Sequence, residues 1–277
     1  MFNVSVSYYP SKWHRKCYFF NPEIFKGFKA ISYERTLPQK WDEFTARDLK
    51  AIARANFLME DKAVKQIYLA HHFLRLPIWV FHHLGITDAM HVYNHISAML
   101  DENTLARTII KSLDVSFRKR LIGPADYASN LTFLEWIKVD LFYSKFMQTK
   151  DETFLNKLIA VLYREKRDDV DEFDLEYRGD MRIPFNEYQV QERAVLIAKL
   201  EKATKYSILL QYSGLRKWIQ SKYPETFKEK KSGQFGWAGL IISLAGDKFG
   251  KDDEVAGTLL HAILIHLEMT EVQAQKQ

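Results

Sequence analysis

The sequence predicts a mainly α fold, a multi-helix bundle with a short β-hairpin or extended arm at the N-terminus. Three observations carry this. Glycine and proline are scarce, 11 and 7 in 277 residues, too few for the many tight turns of an all-β chain. Apolar residues recur at helical spacing through most of the sequence, and helix-start signals precede several of those stretches. With 47% hydrophobic and 27% charged residues the chain falls in the globular range, far from compositions that stay disordered. Its length suits one large domain or two modest ones, with two favoured. Gly123-Pro124 is the clearest break in the first half. The division expected is an N-terminal helical region, residues 1–120, and a C-terminal helical domain, residues 121–277.

Val4 to Tyr9 alternates apolar and small polar residues, and Cys17 to Phe20 is a short apolar run, so one or two strands or an extended arm open the chain. No other stretch reads as a strand. Thr45 followed by Asp48 marks a helix start, with Leu49, Ile52 and Ala53 at helical spacing behind it. Helices are expected to continue to Leu113, one interrupted at Pro77 and another ended at Gly85.

Thr132 and Glu135 have capping-box spacing, and Leu131 and Trp136 hold the two positions of a hydrophobic staple. The helix that follows, to about Met147, has Leu134, Ile137 and Leu141 on one face and Trp136, Val139, Tyr143 and Phe146 on another, the pattern of a central helix. Thr149 and Glu152 repeat the capping spacing, and Phe154, Leu155, Leu158, Ile159 and Leu162 make the stripe of an antiparallel partner. From about 164 to 185 the pattern gives way to charge, which predicts an exposed acidic loop. Asn186 with Gln189 begins a helix that runs, with a bend, to Trp218. A turn around Trp237 precedes a short helix stopped by Gly246 and Gly250. A last helix spans about Asp253 to Met269, and the final polar residues are expected to fray.

Composition also bounds function. The +5 formal charge and pI near 9.0 are compatible with nucleic acid without demanding it. Aromatics make up 14% of the chain, more than its core requires, so some are expected to face a partner. Cys17 is the only cysteine, which excludes an intramolecular disulfide and a four-thiolate zinc site within one chain. No signal peptide or membrane-spanning stretch is evident, so a cytoplasmic location is expected and the sequon Asn130-Leu131-Thr132 carries little meaning.

Each candidate for chemistry lacks a neighbour its reaction needs. Six of nine histidines, His71, His72, His82, His83, His91 and His95, cluster in sequence, and His91 and His95 have metal-sharing spacing. No glutamate or thiolate completes a ligand set, so half-buried or surface roles are expected. Lys12, Arg15 and Lys16 lie near Cys17 and would lower its pKa, yet a lone cysteine is more often inert. Gly246-x-x-x-Gly250-Lys251 has too short a spacing for a phosphate loop and carries Asp252 where Ser or Thr belongs. Gly233, Gly236 and Gly239 lack the strand of a dinucleotide fingerprint. The carboxylates between Glu165 and Glu176 lack the glycine of a calcium loop. Neither catalytic residues nor a metal nor a cofactor is therefore expected.

The most suggestive surface is Lys199 to Lys231, with nine basic residues interleaved with Tyr206, Tyr212, Trp218 and Tyr223. Basic side chains between aromatics suit an acidic protein surface or phosphates, whereas an ordinary helix has a charged outer and an aromatic inner face. Arg216, Lys217, Trp218, Lys222 and Tyr223 are the expected partner-binding residues, with nucleic acid as the alternative ligand.

A resemblance adds to this. Gly123-Pro124 before Asn130-Leu131-Thr132-Phe133, then Leu158-Ile159-Ala160-Val161-Leu162-Tyr163-Arg164, then Arg182-Ile183-Pro184-Phe185-Asn186 form a pattern of segments. Gly236-Trp237, Ser243-Leu244-Ala245-Gly246 and Thr258-Leu259-Leu260-His261 complete it. Over about residues 121–269 this resembles proteins encoded in the tail-morphogenesis region of tailed bacteriophages and prophages, near the tape-measure protein. The resemblance implies a non-enzymatic tail assembly chaperone, or alternatively a structural component of the tail or connector retained in the virion. The implied partners are a tape-measure or tail-tube protein and a second copy of the chain, in the bacterial cytoplasm. Residues 1–120 add almost nothing to the match.

Overall fold

Val4 and Val6 are buried, and their neighbours Asn3 and Ser5 are exposed, the period-two pattern of a strand with one face on a core. In this computed structural model, which describes residues 2–8, 17–18, 31–168, 179–228, 236–246 and 249–275, they lie in β1 (Phe2–Tyr8). β1 is the middle of a three-stranded antiparallel sheet, between β2 (Cys17–Tyr18) and β3 (Ile31–Leu37). The chain is mainly α, as expected, with a short N-terminal sheet. β3 was not expected from the sequence: most of its residues are only partly covered, so its hydrophobic pattern is weak.

The described chain divides into two compact units, one of residues 1–103 with 202–210, the other of residues 104–201 with 211–277. The break at Gly123-Pro124 therefore lies inside the second unit.

In the first unit α1 (Ala46–Leu58) starts where Thr45 predicts, with a complete capping box between Thr45 and Asp48. α2 (Lys62–Leu74) follows, capped by Asp61 and ended by Arg75 in the left-handed region, φ 49. Pro77 opens the four-residue α3 (Ile78–Phe81). Gly85 begins α4 (Ile86–Leu100) rather than ending its predecessor, since it sits at the N-cap. Residues 202–210 join this unit through Asn103 Nδ2, which donates to the Leu210 carbonyl at 2.8 Å, and through Phe57 stacked on Tyr206 at 4.8 Å.

The second unit contains a second antiparallel sheet, β4 (Ser112–Ser116), β5 (Lys119–Ile122) and β6 (Arg164–Glu165), in that order. The expectation of no further strands fails here: β4 does alternate, with Leu113 and Val115 buried between exposed neighbours, but its five residues sit at the end of a stretch that reads as helical, and β5 and β6 are only four and two residues long. α5 (Phe133–Thr149) and α6 (Glu152–Leu162) form a helical hairpin. Thr132 Oγ1 accepts from Glu135 N, but only this half of the expected capping box forms, because the Glu135 carboxylate pairs with Arg164 and Arg182 instead. At the second start the cap is Asp151, not Thr149, whose hydroxyl instead donates to Lys145 O. On α5, Leu141 is exposed, while Glu135 and Asp140 are buried beside Trp136 and Val139.

The predicted bent helix is two helices, α7 (Gln189–Ala198) and α8 (Lys202–Lys222), the second of which belongs in part to each unit. α9 (Gly236–Leu244) includes Trp237 in a helix rather than a turn; Gly233 lies outside the described residues. The last predicted helix is also two, α10 (Asp252–Gly257) and α11 (Leu260–Ala274). Between them Leu259 bridges to Thr132, with Leu260 N on Leu131 O at 2.8 Å and Phe133 N on Thr258 O at 2.9 Å. Backbone groups committed to that bridge are lost to a continuous helix.

Gly123 shows how tightly the second unit is filled. A Cβ there would meet Tyr163 Cε1 at 2.8 Å and Ile110 O at 3.2 Å, and the Tyr163 ring is held by its hydroxyl, which donates to Ile110 O at 2.7 Å. Neither neighbour is a flexible side-chain end, so Gly123→Ala is expected to cost about 1–3 kcal/mol. A urea midpoint equal to that of the parent would contradict this.

Candidate partner-binding surface

The second half of α8 places the predicted residues, and the structure separates them by role. Arg216 Nε reaches the buried Asp140 carboxylate at 2.5 Å, and its guanidinium lies 5.5 Å over the Tyr143 ring. Burial opposes its charge, but Asp140 outweighs burial and raises its pKa. Tyr212, fully enclosed, donates to the same carboxylate at 3.4 Å, and burial with that neighbouring charge pushes its phenol pKa far up. Tyr223 is buried at 3% exposure. Lys217 and Lys222 are exposed and Trp218 half-buried. Arg216 and Tyr223 are thus committed to internal structure, and Lys217, Trp218 and Lys222 are the accessible members.

Two residues from distant parts of the sequence complete this surface. Tyr127 lies 5.1 Å from Trp218, ring centre to ring centre, and His261 lies 5.9 Å from it edge-on. His261 Nε2 faces the Tyr127 carbonyl at 2.7 Å, an acceptor only, so Nε2 carries the proton. In the neutral ring Nδ1 then accepts from the Tyr223 hydroxyl, 2.8 Å away. Burial lowers the His261 pKa, in agreement with a neutral imidazole. Tyr127 and Ala128 both hold positive φ, 60 and 57, a conformation costing roughly 1–2 kcal/mol per residue. The His261 contact and the bond from Tyr127 N to Ala106 O, 2.9 Å, hold that turn. Tyr127 stays 41% exposed, and Lys222 Nζ sits 4.8 Å over the Trp218 ring.

The wider basic stretch does not form one face. Lys205 is buried, Lys228 pairs with Glu225, and Lys230 and Lys231 lie outside the described residues.

Four of the six histidines of residues 71–95 face backbone or carboxylate partners, and His82 and His91 are exposed. His71, His83 and His95 face the carbonyls of Leu76, Trp79 and Pro38, and His72 Nε2 lies 2.8 Å from Asp48. Among the described residues no group of three or more His, Cys, Asp or Glu is placed to hold a metal. The Cys17 side chain is outside the described set. Gly246 and Gly250 exchange both backbone hydrogen bonds, at 2.9 and 2.8 Å, so those amides are not free for a phosphate.

Asp48 lies beside a cleft of about 360 Å³, together with Arg35, Glu43, Thr45 and Arg75. Burial raises its pKa, but bonds from His72 and Thr45 outweigh burial and hold the carboxyl well below the ordinary carboxylate range. A depressed folded pKa contributes stability that is present above the unfolded value and lost as pH falls below about 4. Asp48→Asn is therefore expected to flatten the acid limb of the thermal midpoint against pH. Parallel curves for variant and parent below about pH 4 would contradict that.

The acidic stretch is more closely built than its composition suggests. Asp169, Asp171, Glu172, Asp174 and Glu176 lie outside the described residues, but its ends are paired: Ile183 N donates to Glu165 O at 2.9 Å and Arg167 N to Met181 O at 2.8 Å. Arg164 and Arg182 are buried. Arg182 bonds Asp180 through Nε and Nη2 at 2.8 and 2.9 Å, and donates to Leu162 O and Asn130 O. Arg164 pairs with Glu135 at 2.8 Å and Asp180 at 3.0 Å, and its Nε finds no hydrogen-bond partner among the described residues. Burial, with Arg182 nearby, pulls the Arg164 pKa down to about 10, and burial raises that of Glu135. Two cations against two carboxylates leave the cluster neutral, a structural clamp.

No family model, curated protein or solved structure matches the chain. Among the described residues no helix is long and apolar enough to cross a membrane.

Proposed function

We propose that this chain is a non-enzymatic, protein-binding factor of tailed-phage tail assembly, acting in the bacterial cytoplasm on a tape-measure or tail protein. The single observation that carries the binding role is the half-exposed Tyr127–Trp218 pair, held by the Tyr223–His261 bonds and flanked by Lys217 and Lys222. Tyr and Trp dominate binding energy at protein interfaces, and a pre-ordered aromatic loses little freedom on docking. The tail setting rests on the segment pattern of residues 121–269. Three of those segments meet at the buried cluster, through Asn130, Arg164 and Arg182.

Co-expression with a tape-measure protein encoded beside it tests the reading. The expected result is a soluble complex of the two chains. A tape measure equally insoluble with and without this chain would count against the proposal. Mass spectrometry of purified particles then distinguishes an assembly factor, absent from virions, from a retained tail component.

A further inference from the structure

We infer that the Tyr127–Trp218–Lys222 face docks an acidic segment of a partner protein, a deepening that rests on the protein-binding reading above. The argument is charge complementarity around an aromatic centre. On the α8 side, neither Lys217 nor Lys222 pairs with a carboxylate among the described residues. The nearby carboxylates are occupied: Glu225 bonds Lys228 and Gln275, and Glu268 accepts from the backbone of Glu225 and Thr226. On the Tyr127 side, Arg107 and Lys111, half or more exposed, share the single carboxylate of Asp126, at 3.4 and 2.5 Å. The segments that carry the two rings thus hold five cations, Arg107, Lys111, Lys217, Lys222 and Lys228, against three carboxylates, Asp126, Glu225 and Glu268, a positive balance that attracts negative charge beside an apolar contact.

The ring geometry favours a protein segment over single-stranded nucleic acid. A base held between two rings needs roughly 7 Å between nearly parallel planes, twice the roughly 3.4 Å stacking rise. Tyr127 and Trp218 instead touch at 5.1 Å with planes 50° apart, His261 meets Trp218 edge-on, and Lys222 Nζ lies over the indole. No base fits between the two rings, and Lys222 covers one face of the indole, which leaves only the outer ring faces for stacking. A carboxylate approaching Lys222 meets the cation directly, and an apolar neighbour in the same segment reaches the outer edges of Trp218 and Tyr127.

Fluorescence anisotropy with three labelled probes tests this: a twelve-residue peptide of alternating Glu and Leu, its Gln-for-Glu analogue, and a twelve-nucleotide oligothymidylate. The acidic peptide is expected to bind at least about tenfold more tightly than the glutamine analogue and the oligonucleotide, with affinity falling as salt rises. Lys222→Glu and Trp218→Ala should each weaken it about tenfold or more, a loss equal to about 1.4 kcal/mol. Their thermal midpoints are measured alongside, and Lys145→Glu, at an exposed position of α5, is the control for a charge change elsewhere. Equal binding of the glutamine analogue, tighter binding of the oligonucleotide, no binding of the acidic peptide, or indifference to both α8 substitutions would overturn the inference. A co-expressed complex that survives both substitutions overturns this inference alone, whereas failure to form any complex overturns the broader reading.

Discussion

Arg182→Met is expected to lower the stability of the second unit by about 3–5 kcal/mol, the cost of removing one partner from a buried charge cluster. The substitution takes away bonds to Asp180, Leu162 O and Asn130 O and the 3.4 Å contact to Glu135. Methionine fills much of the space but donates nothing, so two buried carbonyls and two carboxylates lose a donor. The pH dependence is a sharper signature than the loss itself. Burial already raises the Glu135 pKa against the pull of Arg164 and Arg182, and losing Arg182 raises it further. A carboxyl with a raised folded pKa favours the folded state more as pH falls, so the penalty should shrink as pH is lowered from neutrality toward the ordinary glutamate value of about 4.3. Urea midpoints of variant and parent across that range check it. A penalty below about 1 kcal/mol, or one that does not change with pH, would mean the cluster contributes far less than a clamp should.

Trp136→Ala is expected to cost about 3–5 kcal/mol, because the ring is fully enclosed and packs against Tyr212 at 5.9 Å and Phe227 at 6.5 Å. Trp136→Phe should cost far less, about 1 kcal/mol. The indole Nε1 has no hydrogen-bond partner among the described residues, so phenylalanine removes an unsatisfied donor along with some volume. Calorimetry of both variants separates the two effects. A Trp136→Phe loss above about 2 kcal/mol would contradict an unsatisfied N–H, because it would exceed what the small change in volume accounts for.

Capping chemistry was the most legible part of the sequence. The Thr45–Asp48 box and the Thr132 cap depend only on neighbours three residues apart, and both form. Pairing across long separations was not legible. Glu135 and Asp140 look like solvent-facing charges on α5 until Arg164, Arg182 and Arg216 are brought to them from 29 to 76 residues away. The residues from 164 to 185 read as an exposed loop for the same reason. A run of charge signals solvation unless its partners can be seen.

The candidate surface was half legible. Lys217, Trp218 and Lys222 stood out as cations beside an aromatic, and all three remain accessible. Tyr127 and His261 gave no sign, being 134 residues apart and joined through one carbonyl. Tyr223 reads as a surface aromatic but donates to His261 from within the core, because a helix-terminal position does not reveal which way its side chain turns.

Hydrogen–deuterium exchange of the chain alone and in complex with the co-expressed tail protein tests the central claim most directly. Slowed exchange on binding is predicted at residues 126–128 and 216–223 together, with the Arg182 cluster unchanged because it is already buried. A stable complex whose protection falls elsewhere, leaving both segments as they are in the free chain, would contradict the account.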